Sequence, residues 1–204
     1  MTKRYGIMGG SFNPIHMGHL MMSEYVRVEL DLDEIIFIPT GNPPHKQTGI
    51  LDAENRLEMV KKATKDNPHF TVSDIEVKRQ GISYSVDTVL ALKERYPEDE
   101  FYFLIGLDIL PDLRGWRRFD ELAKEIEFAL SIRPGYDTMT KDQMVWHINT
   151  LKEQFQAEII VVETPLYEIS STDIRRRIRE GKSIRYLVKP EVIQTIEKNG
   201  YYKA

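Results

Sequence analysis

The chain has 204 residues, of which 41% are hydrophobic and 29% charged, and its formal net charge at pH 7 is −4. This length suffices for one well-packed domain. The acidic balance offers no basic field to nucleic acid, and the lack of cysteine excludes disulfides, thiol catalysis and Cys-ligated zinc. Neither a signal-peptide core nor an apolar run of the roughly 20 residues that span a bilayer is present. We therefore expect a cytoplasmic protein that binds neither nucleic acid nor a membrane.

Short apolar runs alternate with amphipathic stretches along the chain. Asp52 is a candidate helix N-cap, and Gly200 is suited to follow the last helix. In chain order we predict a strand over 5–8, a helix over about 15–30, a strand over 34–38, a helix over 52–62, an extended segment over 70–77, a helix from 85 to before Pro97, strands over 101–105 and 127–132, a helix over 141–155, a strand over 159–162, and helices over 171–180 and 191–199.

This alternation predicts an α/β fold, a Rossmann-like doubly wound parallel sheet with C-terminal helices. We expect a single domain over residues 1–204, whose C-terminal helical part covers about 169–204. In such sheets ligands bind beyond the carboxyl ends of the strands. The unusual residues of this chain do follow predicted strands, which makes those segments the candidate site.

The first of these segments is GGSFNPIHMGH, residues 9–19. Gly9 and Gly10 allow a sharp turn close to a ligand, and a helix N-terminus after the turn suits phosphate. His16 and His19 are three residues apart, so we expect both on one helical face, where they could donate to phosphate oxygens. On the spacing alone, a chance surface pair or a poor two-ligand zinc site remains open.

Three further segments carry polar residues after predicted strands. ISSTDIR, residues 169–175, has near-capping-box spacing, so a well-capped helix explains it as readily as a triphosphate site does. Gly106 and Asp108 follow a buried strand, and a simple turn is the alternative there. Arg133 follows the next strand. Apart from these segments, Trp116 has a flat face that suits a flat heteroaromatic ring, and ordinary half-buried packing is the alternative.

The segment at 9–19 resembles the G-x-F-x-P-x-H-x-G-H signature of the nucleotidyltransferase superfamily, and 169–175 resembles its I-S-S-T-x-[IV]-R motif. The PPHK segment, residues 43–46, and SYSVDT, residues 83–88, are similar to motifs of the bacterial nicotinate-nucleotide adenylyltransferases. The resemblance implies three groups of site residues. The catalytic group is His16, His19 and Arg175. The ATP-binding group is Gly9, Gly10, Ser11, Phe12, Gly106, Asp108, Arg133, Ser171 and Thr172. The group that binds nicotinate mononucleotide is His45, Lys46, Tyr84, Ser85, Thr88, Trp116 and Arg117.

Two positions depart from that family pattern. Asn13 stands where an Asp is common, and it keeps the turn-forming capacity. Arg117 stands where many members have an aromatic residue. If only its main chain contacts the nicotinate carboxylate, the change matters little. If its side chain points inward, it favours an acid over an amide.

The resemblance implies an adenylyltransferase of NAD biosynthesis that joins ATP and nicotinate mononucleotide into deamido-NAD and pyrophosphate. Mg²⁺ is expected to arrive with ATP, and no metal site of the protein's own is expected. Nicotinamide mononucleotide or phosphopantetheine as acceptor, and a non-catalytic nucleotide sensor on the same fold, remain alternatives. The oligomeric state is open, with a homodimer as one option.

Overall fold

The computed structural model describes residues 2–44, 49–133, 139–165 and 168–203. Strands and helices alternate from the start of the chain to the last strand, and two helices follow. In chain order they are β1 (Arg4–Gly10), α1 (Met17–Glu29), β2 (Glu34–Pro39), α2 (Ala53–Thr64), β3 (Phe70–Val72), α3 (Ser85–Arg95), β4 (Glu100–Gly106), a 3₁₀ helix (Leu110–Gly115), α4 (Phe119–Glu125), β5 (Glu127–Ile132), α5 (Lys141–Phe155), β6 (Ile159–Glu163), α6 (Ser171–Arg179) and α7 (Pro190–Asn199). Among the described helices, none is long and apolar enough to cross a bilayer.

The strands of the described residues form one six-stranded sheet in the order β3-β2-β1-β4-β5-β6. β4 runs parallel to β1 and to β5, and β5 runs parallel to β6. Phe103 on β4 lies in register with Ile7 on one side and Phe128 on the other. A strand order that proceeds from the centre to one edge and then to the other is that of a doubly wound sheet. The predicted α/β, Rossmann-like fold class is confirmed.

The chain divides into two compact units, each assembled from several separate stretches. The first unit contains β1 as far as Met8, α1 from Ser23, the start of β2, and the chain from Tyr84 through β6. Its core strand β4 is buried along Phe101–Ile105, because a strand covered on both faces is apolar at consecutive positions. The long apolar runs of β4 and β5 are therefore the sequence signal of this core.

The second unit contains Gly9–Met22, Ile36–Ser83 and the helices α6 and α7. Here α2 packs against α7 and β3, and it buries Leu57, Val60 and Ala63 as predicted. The helix α7 ends at Gly200, which has a φ of 66° and occupies a left-handed position that favours glycine. Whether residues 1–204 form a single domain stays a prediction.

Two local predictions need correction, and one helix cap was not predicted. The extended segment predicted over 70–77 ends at Val72, because Ser73 Oγ accepts from the amide of Ile75 at 3.4 Å and a turn follows. Asp52 occupies the N-cap position of α2, but its side chain makes no capping hydrogen bond. A complete capping box occurs instead on α5, between Thr140 and Gln143, where no cap was predicted.

The start of α1 also differs from the prediction, since the helix begins at Met17 rather than near residue 15. In a helix that begins at residue 15, the carbonyl of Pro14 would accept the amide of Gly18, and here it accepts the hydroxyl of Ser171 at 2.8 Å. The amide of Met17 donates to the carbonyl of Leu187 at 2.8 Å. Residues 14–17 are thus held by α6 and by the chain after it, so α1 begins later in the sequence than predicted.

Candidate functional site: a histidine pair and the start of α6

The chain bends immediately after β1, at a different residue from the one predicted. Gly9 and Gly10 lie inside β1, and the residue with left-handed backbone is Phe12, at a φ of 46°. A side chain at Gly10 would place its Cβ 3.4 Å from the Phe12 ring. Gly10 therefore gives room to a buried phenylalanine, and the bend itself is made by Phe12, so the expected sharp turn at the two glycines is wrong.

The two histidines meet ring to ring after this bend. His16 is the last residue before α1 and His19 lies in its first turn, so the expected shared helical face becomes a stacked pair with ring centroids 3.7 Å apart. The backbone N–H of His16 donates to Nδ1 of His19 at 3.2 Å. A backbone amide can only donate, so Nδ1 of His19 carries no proton. The proton of the neutral His19 ring is on Nε2, which is the atom available to donate to a ligand.

Burial keeps both rings neutral near pH 7. Desolvation lowers the pKa of His16 to about 4. The pKa of His19 is well below its usual value, first because of desolvation and second because of the neighbouring His16. His19 itself remains half-buried, and the edge of its ring packs against Phe12 with centroids 5.1 Å apart. The pair can therefore act through neutral N–H donors but not as a resident positive charge.

The start of α6 lies against the same bend. Ser171 donates its hydroxyl to the carbonyl of Pro14 at 2.8 Å, and Arg175 donates to the carbonyl of Asn13 at 2.7 Å. Arg175 also donates to the hydroxyl of Thr172 at 3.3 Å. The structure thus brings the segment of residues 9–19 and the segment of residues 169–175 into direct contact. Together they present imidazole, hydroxyl and guanidinium donors, the groups that bind phosphate oxygens.

The capping box predicted at the start of α6 is only half formed. Ser170 Oγ accepts from the amide of Asp173 at 3.2 Å. The carboxylate of Asp173 pairs with Arg176 rather than returning to the N-cap amide. Ile174 is buried as predicted, whereas Ile178 is only half-buried. The hydroxyl of Ser170 therefore caps the helix. The hydroxyl of Ser171 contacts the carbonyl of Pro14, and that of Thr172 contacts Arg175.

In the first unit, the residues predicted to bind ATP follow β4 and β5. Gly106 is the last residue of β4, and Asp108 lies in the turn after it. A side chain at Gly106 would place its Cβ 2.6 Å from Oδ1 of Asp108, so glycine allows this carboxylate to fold back over the strand end. Arg133 follows β5 and is half-buried.

The residues predicted to bind the acceptor cluster around the start of α3 and the end of the 3₁₀ helix. The guanidinium of Arg117 lies over the ring of Tyr84, 4.8 Å from its centroid. Thr88 is buried and donates to the carbonyl of Tyr84 at 3.3 Å, and Ser85 is the first residue of α3. Trp116 is half-buried, with its ring edge-to-face to Phe103 at 5.6 Å.

Two predicted acceptor ligands, His45 and Lys46, lie outside the described residues. Among the residues that are described, no group of three or more His, Cys, Asp or Glu side chains is placed to hold a metal ion.

Sequence reasoning missed the buried Arg56 beside the bend, and it gave Asn13 a turn-forming role without its burial or its partners. Arg56 is 1% exposed and donates to the carbonyls of four residues, Ser11, Thr40, Gly41 and Leu51. Asn13 is 3% exposed, and its Oδ1 accepts from the amide of Leu51 and from the hydroxyl of Tyr202. The signal for Arg56 was available, because it shares the apolar face of α2 with Val60 and Ala63 at spacings of four and seven residues.

A doubly wound sheet with donors gathered after its first strand defines the class of nucleotide-binding α/β proteins. A family model described as cytidylyltransferase-like matches residues 7–177. A probable nicotinate-nucleotide adenylyltransferase of Exiguobacterium sibiricum is 44% identical over 199 residues, which is 98% of each chain. One from Desulfitobacterium hafniense (strain Y51) is 43% identical over 202 residues, covering 98% of this chain and 96% of the relative. The chain belongs to the cytidylyltransferase-like family and, within it, to the nicotinate-nucleotide adenylyltransferases.

The fold has a counterpart among solved structures. Plasmodium falciparum nicotinic acid mononucleotide adenylyltransferase complexed with NaAD matches with a TM-score of 0.80 at 20% identity, over 98% of this chain and 97% of that one. At 20% identity this likeness concerns the fold alone.

Proposed function

We propose that the protein transfers the adenylyl group of ATP to nicotinate mononucleotide, forming deamido-NAD and pyrophosphate in NAD biosynthesis. The observation that carries the proposal is that the segment holding the two stacked histidines contacts the donor-rich start of α6, through Pro14 and Asn13. The full-length sequence similarity to nicotinate-nucleotide adenylyltransferases supports this choice of reaction. A cytoplasmic location is part of the proposal.

In the proposed reaction, an oxygen of the acceptor's 5′-phosphate attacks the α-phosphorus of ATP in line. The bond from the α-phosphorus to the bridging oxygen breaks, and pyrophosphate leaves with that oxygen. A phosphate monoester is largely ionised near pH 7, so the attack needs no strong general base. Catalysis then rests on positioning and on donors aimed at the developing charge.

The residues of the second unit supply those donors. Nε2–H of His19 donates to a nonbridging oxygen of the α-phosphate, and His16 assists it from the stacked ring. Arg175, Ser171 and Thr172 hold the departing pyrophosphate. The backbone of Gly9, Gly10, Ser11 and Phe12 approaches the nucleotide. Mg²⁺ enters as part of the MgATP substrate, where it neutralises phosphate charge.

The residues of the first unit are assigned to the nucleosides. Gly106, Asp108 and Arg133 bind ATP. Trp116 stacks on the pyridine ring, and the backbone amides of Ser85 and Arg117 bind its carboxylate. Tyr84 and Thr88 support that pocket through the stacked Arg117 and the hydrogen bond at the start of α3. His45 and Lys46 are assigned to the acceptor by family resemblance alone.

The test is pyrophosphate release from MgATP with nicotinate mononucleotide, nicotinamide mononucleotide and phosphopantetheine in parallel. We expect strong preference for the acid. Preference for the amide would keep the chemistry and overturn the carboxylate pocket. ATP binding without turnover on any acceptor would favour the nucleotide sensor.

The variant His19→Ala tests the role of the histidine pair. Removing a donor that acts in the transition state lowers kcat by about a hundredfold or more and changes KM for ATP little. His147→Ala, on the half-buried side of α5, is the matched control and should behave as wild type. A His19→Ala enzyme with normal kcat and a raised KM would overturn the assignment.

A further inference from the structure

Arg56 is a buried cation that joins three separate stretches of backbone. Its Nε donates to the carbonyl of Leu51 at 2.9 Å, and its two terminal nitrogens donate to those of Ser11 and Thr40, each at 2.6 Å. A fourth bond, at 3.2 Å, reaches Gly41. These acceptors lie after β1, after β2 and before α2. The planar fork of a guanidinium can serve several acceptors at fixed angles, which an ammonium group cannot do.

Packing alone does not account for an arginine at this place. All four acceptors are neutral carbonyl oxygens, and burial lowers the pKa of Arg56, although a guanidinium stays charged near neutral pH. Burying a charge is costly, and even whole buried ion pairs are often replaced by apolar residues of similar volume without loss of stability. Because burying the guanidinium costs free energy, we infer that Arg56 fixes the geometry of the backbone and does not merely fill space.

The geometry that Arg56 fixes is the bend that supports the histidine pair. Ser11 immediately precedes Phe12, whose φ of 46° is unfavourable for a bulky residue. Such conformations persist where the surroundings over-determine them. Arg56 holds the carbonyl before Phe12, and Asn13 on the other side is held through its side chain by Leu51 and Tyr202.

The bend transmits its position to His19 through the aromatic contact between Phe12 and the imidazole. The Phe12 ring is 1% exposed and lies edge-on to the His19 ring. A tilt of Phe12 would therefore move the imidazole, together with the hydrogen bond from the amide of His16 that sets its tautomer. A displacement of about 1 Å at a reacting group can cost roughly a hundredfold in rate.

We propose that Arg56 is a positioning residue, which orients the imidazole of His19 by fixing the carbonyl of Ser11 and hence the bend at Phe12. The inference rests on the proposed function, in which Nε2–H of His19 contacts the α-phosphate. It adds a residue that touches no substrate and acts through the backbone.

The kinetic test uses Arg56→Met and Arg56→Lys, with Arg4→Met as the matched control. Arg4 also donates to two backbone carbonyls, those of Leu30 and Asp31, but it serves the connection between α1 and β2. We expect both Arg56 variants to lower kcat by about tenfold or more, with KM for ATP within about twofold. Arg4→Met should keep both constants. Folded Arg56 variants with wild-type kcat would overturn the proposal.

A second readout is independent of turnover. In ¹⁵N spectra of the histidine rings, wild type should show His19 with the proton on Nε2, and the Arg56 variants should show a mixture of tautomers and a pKa nearer the usual range. An unchanged His19 tautomer in folded Arg56→Lys or Arg56→Met would overturn the proposal. If wild type failed to transfer adenylyl groups, the proposed function would fail, and these spectra would still decide the role of Arg56. If Arg56→Met does not fold, Arg56→Lys carries both readouts.

Discussion

Lowering the pH should destabilise the protein through His16 in a calculable way. The pKa of this imidazole is about 4 in the folded protein and 6.5 in an ordinary environment. Above pH 6.5 the ring is neutral in both states, and its contribution to folding is fully retained. Between pH 6.5 and 4 the unfolded chain takes up a proton that the folded protein excludes. At about 1.4 kcal/mol per pH unit, this linkage lowers the free energy of unfolding by about 3 kcal/mol at pH 4.

The measurement is urea unfolding at several pH values for wild type and for His16→Gln, which cannot take up the proton. Carboxylates also titrate in this range, so the informative quantity is the difference between the two pH curves. We expect wild type to lose about 3 kcal/mol more than His16→Gln between pH 7 and pH 4. His69→Gln, at an exposed position, is the control and should follow wild type. Parallel curves for wild type and His16→Gln would refute the idea that the folded protein keeps His16 neutral.

Three further outcomes follow from the site and its surroundings. Trp116→Ala should raise KM for the acceptor by about fivefold with little effect on KM for ATP, since a stacking face of about 1 kcal/mol is lost; equal effects on both constants would contradict the stacking role. Arg117→Leu should change the acid-to-amide preference by less than about threefold, because its side chain packs on a ring; a larger loss would indicate a charge-assisted bond to the substrate. Gly41→Ala should lower the free energy of unfolding by about 1–3 kcal/mol, because the new Cβ would collide with the carbonyl of Glu76, whereas Gly115→Ala faces open space and should be neutral; chemical denaturation measures both.

The fold was predictable because its signals are local and repeated. The runs of β4 and β5 are apolar at consecutive positions, and α5 was predicted with the bounds that the structure has. The wrongly predicted element boundaries are those that a single hydrogen bond determines. The turn at Ser73 ends β3 early, and the hydroxyl of Ser171 bonds to the carbonyl of Pro14, which would otherwise extend α1. Neither bond has a sequence pattern of its own, and the second joins residues far apart in the chain.

The candidate site was predictable to the extent that its residues belong to short motifs. His16, His19 and Ser171 are within such motifs, and the structure brings these segments together. Residue patterns could not give the stacking of the two rings or the tautomer of His19, because both depend on backbone directions at Phe12 and His16. The burial of Arg56 could have been predicted from the apolar face of α2, but its partners could not, because they are carbonyl oxygens, which every residue type possesses.

Because both histidines are neutral, the pH dependence of the reaction should reflect the ionisation of the substrate and not that of the histidines. Had His16 or His19 acted as a cation, the activity would rise as the pH falls through the usual range of an imidazole. Because burial lowers the pKa of His16 to about 4 and that of His19 well below its usual value, neither ring changes its charge in the usual range of an imidazole. The acceptor phosphate does, since its second pKa is about 6. The acid limb of kcat/KM for the acceptor should therefore follow the substrate, and an analogue with a methylene phosphonate, a weaker acid, should shift that limb to higher pH. A limb that stays in place with the analogue would assign the titration to the protein and would contradict the neutral pair.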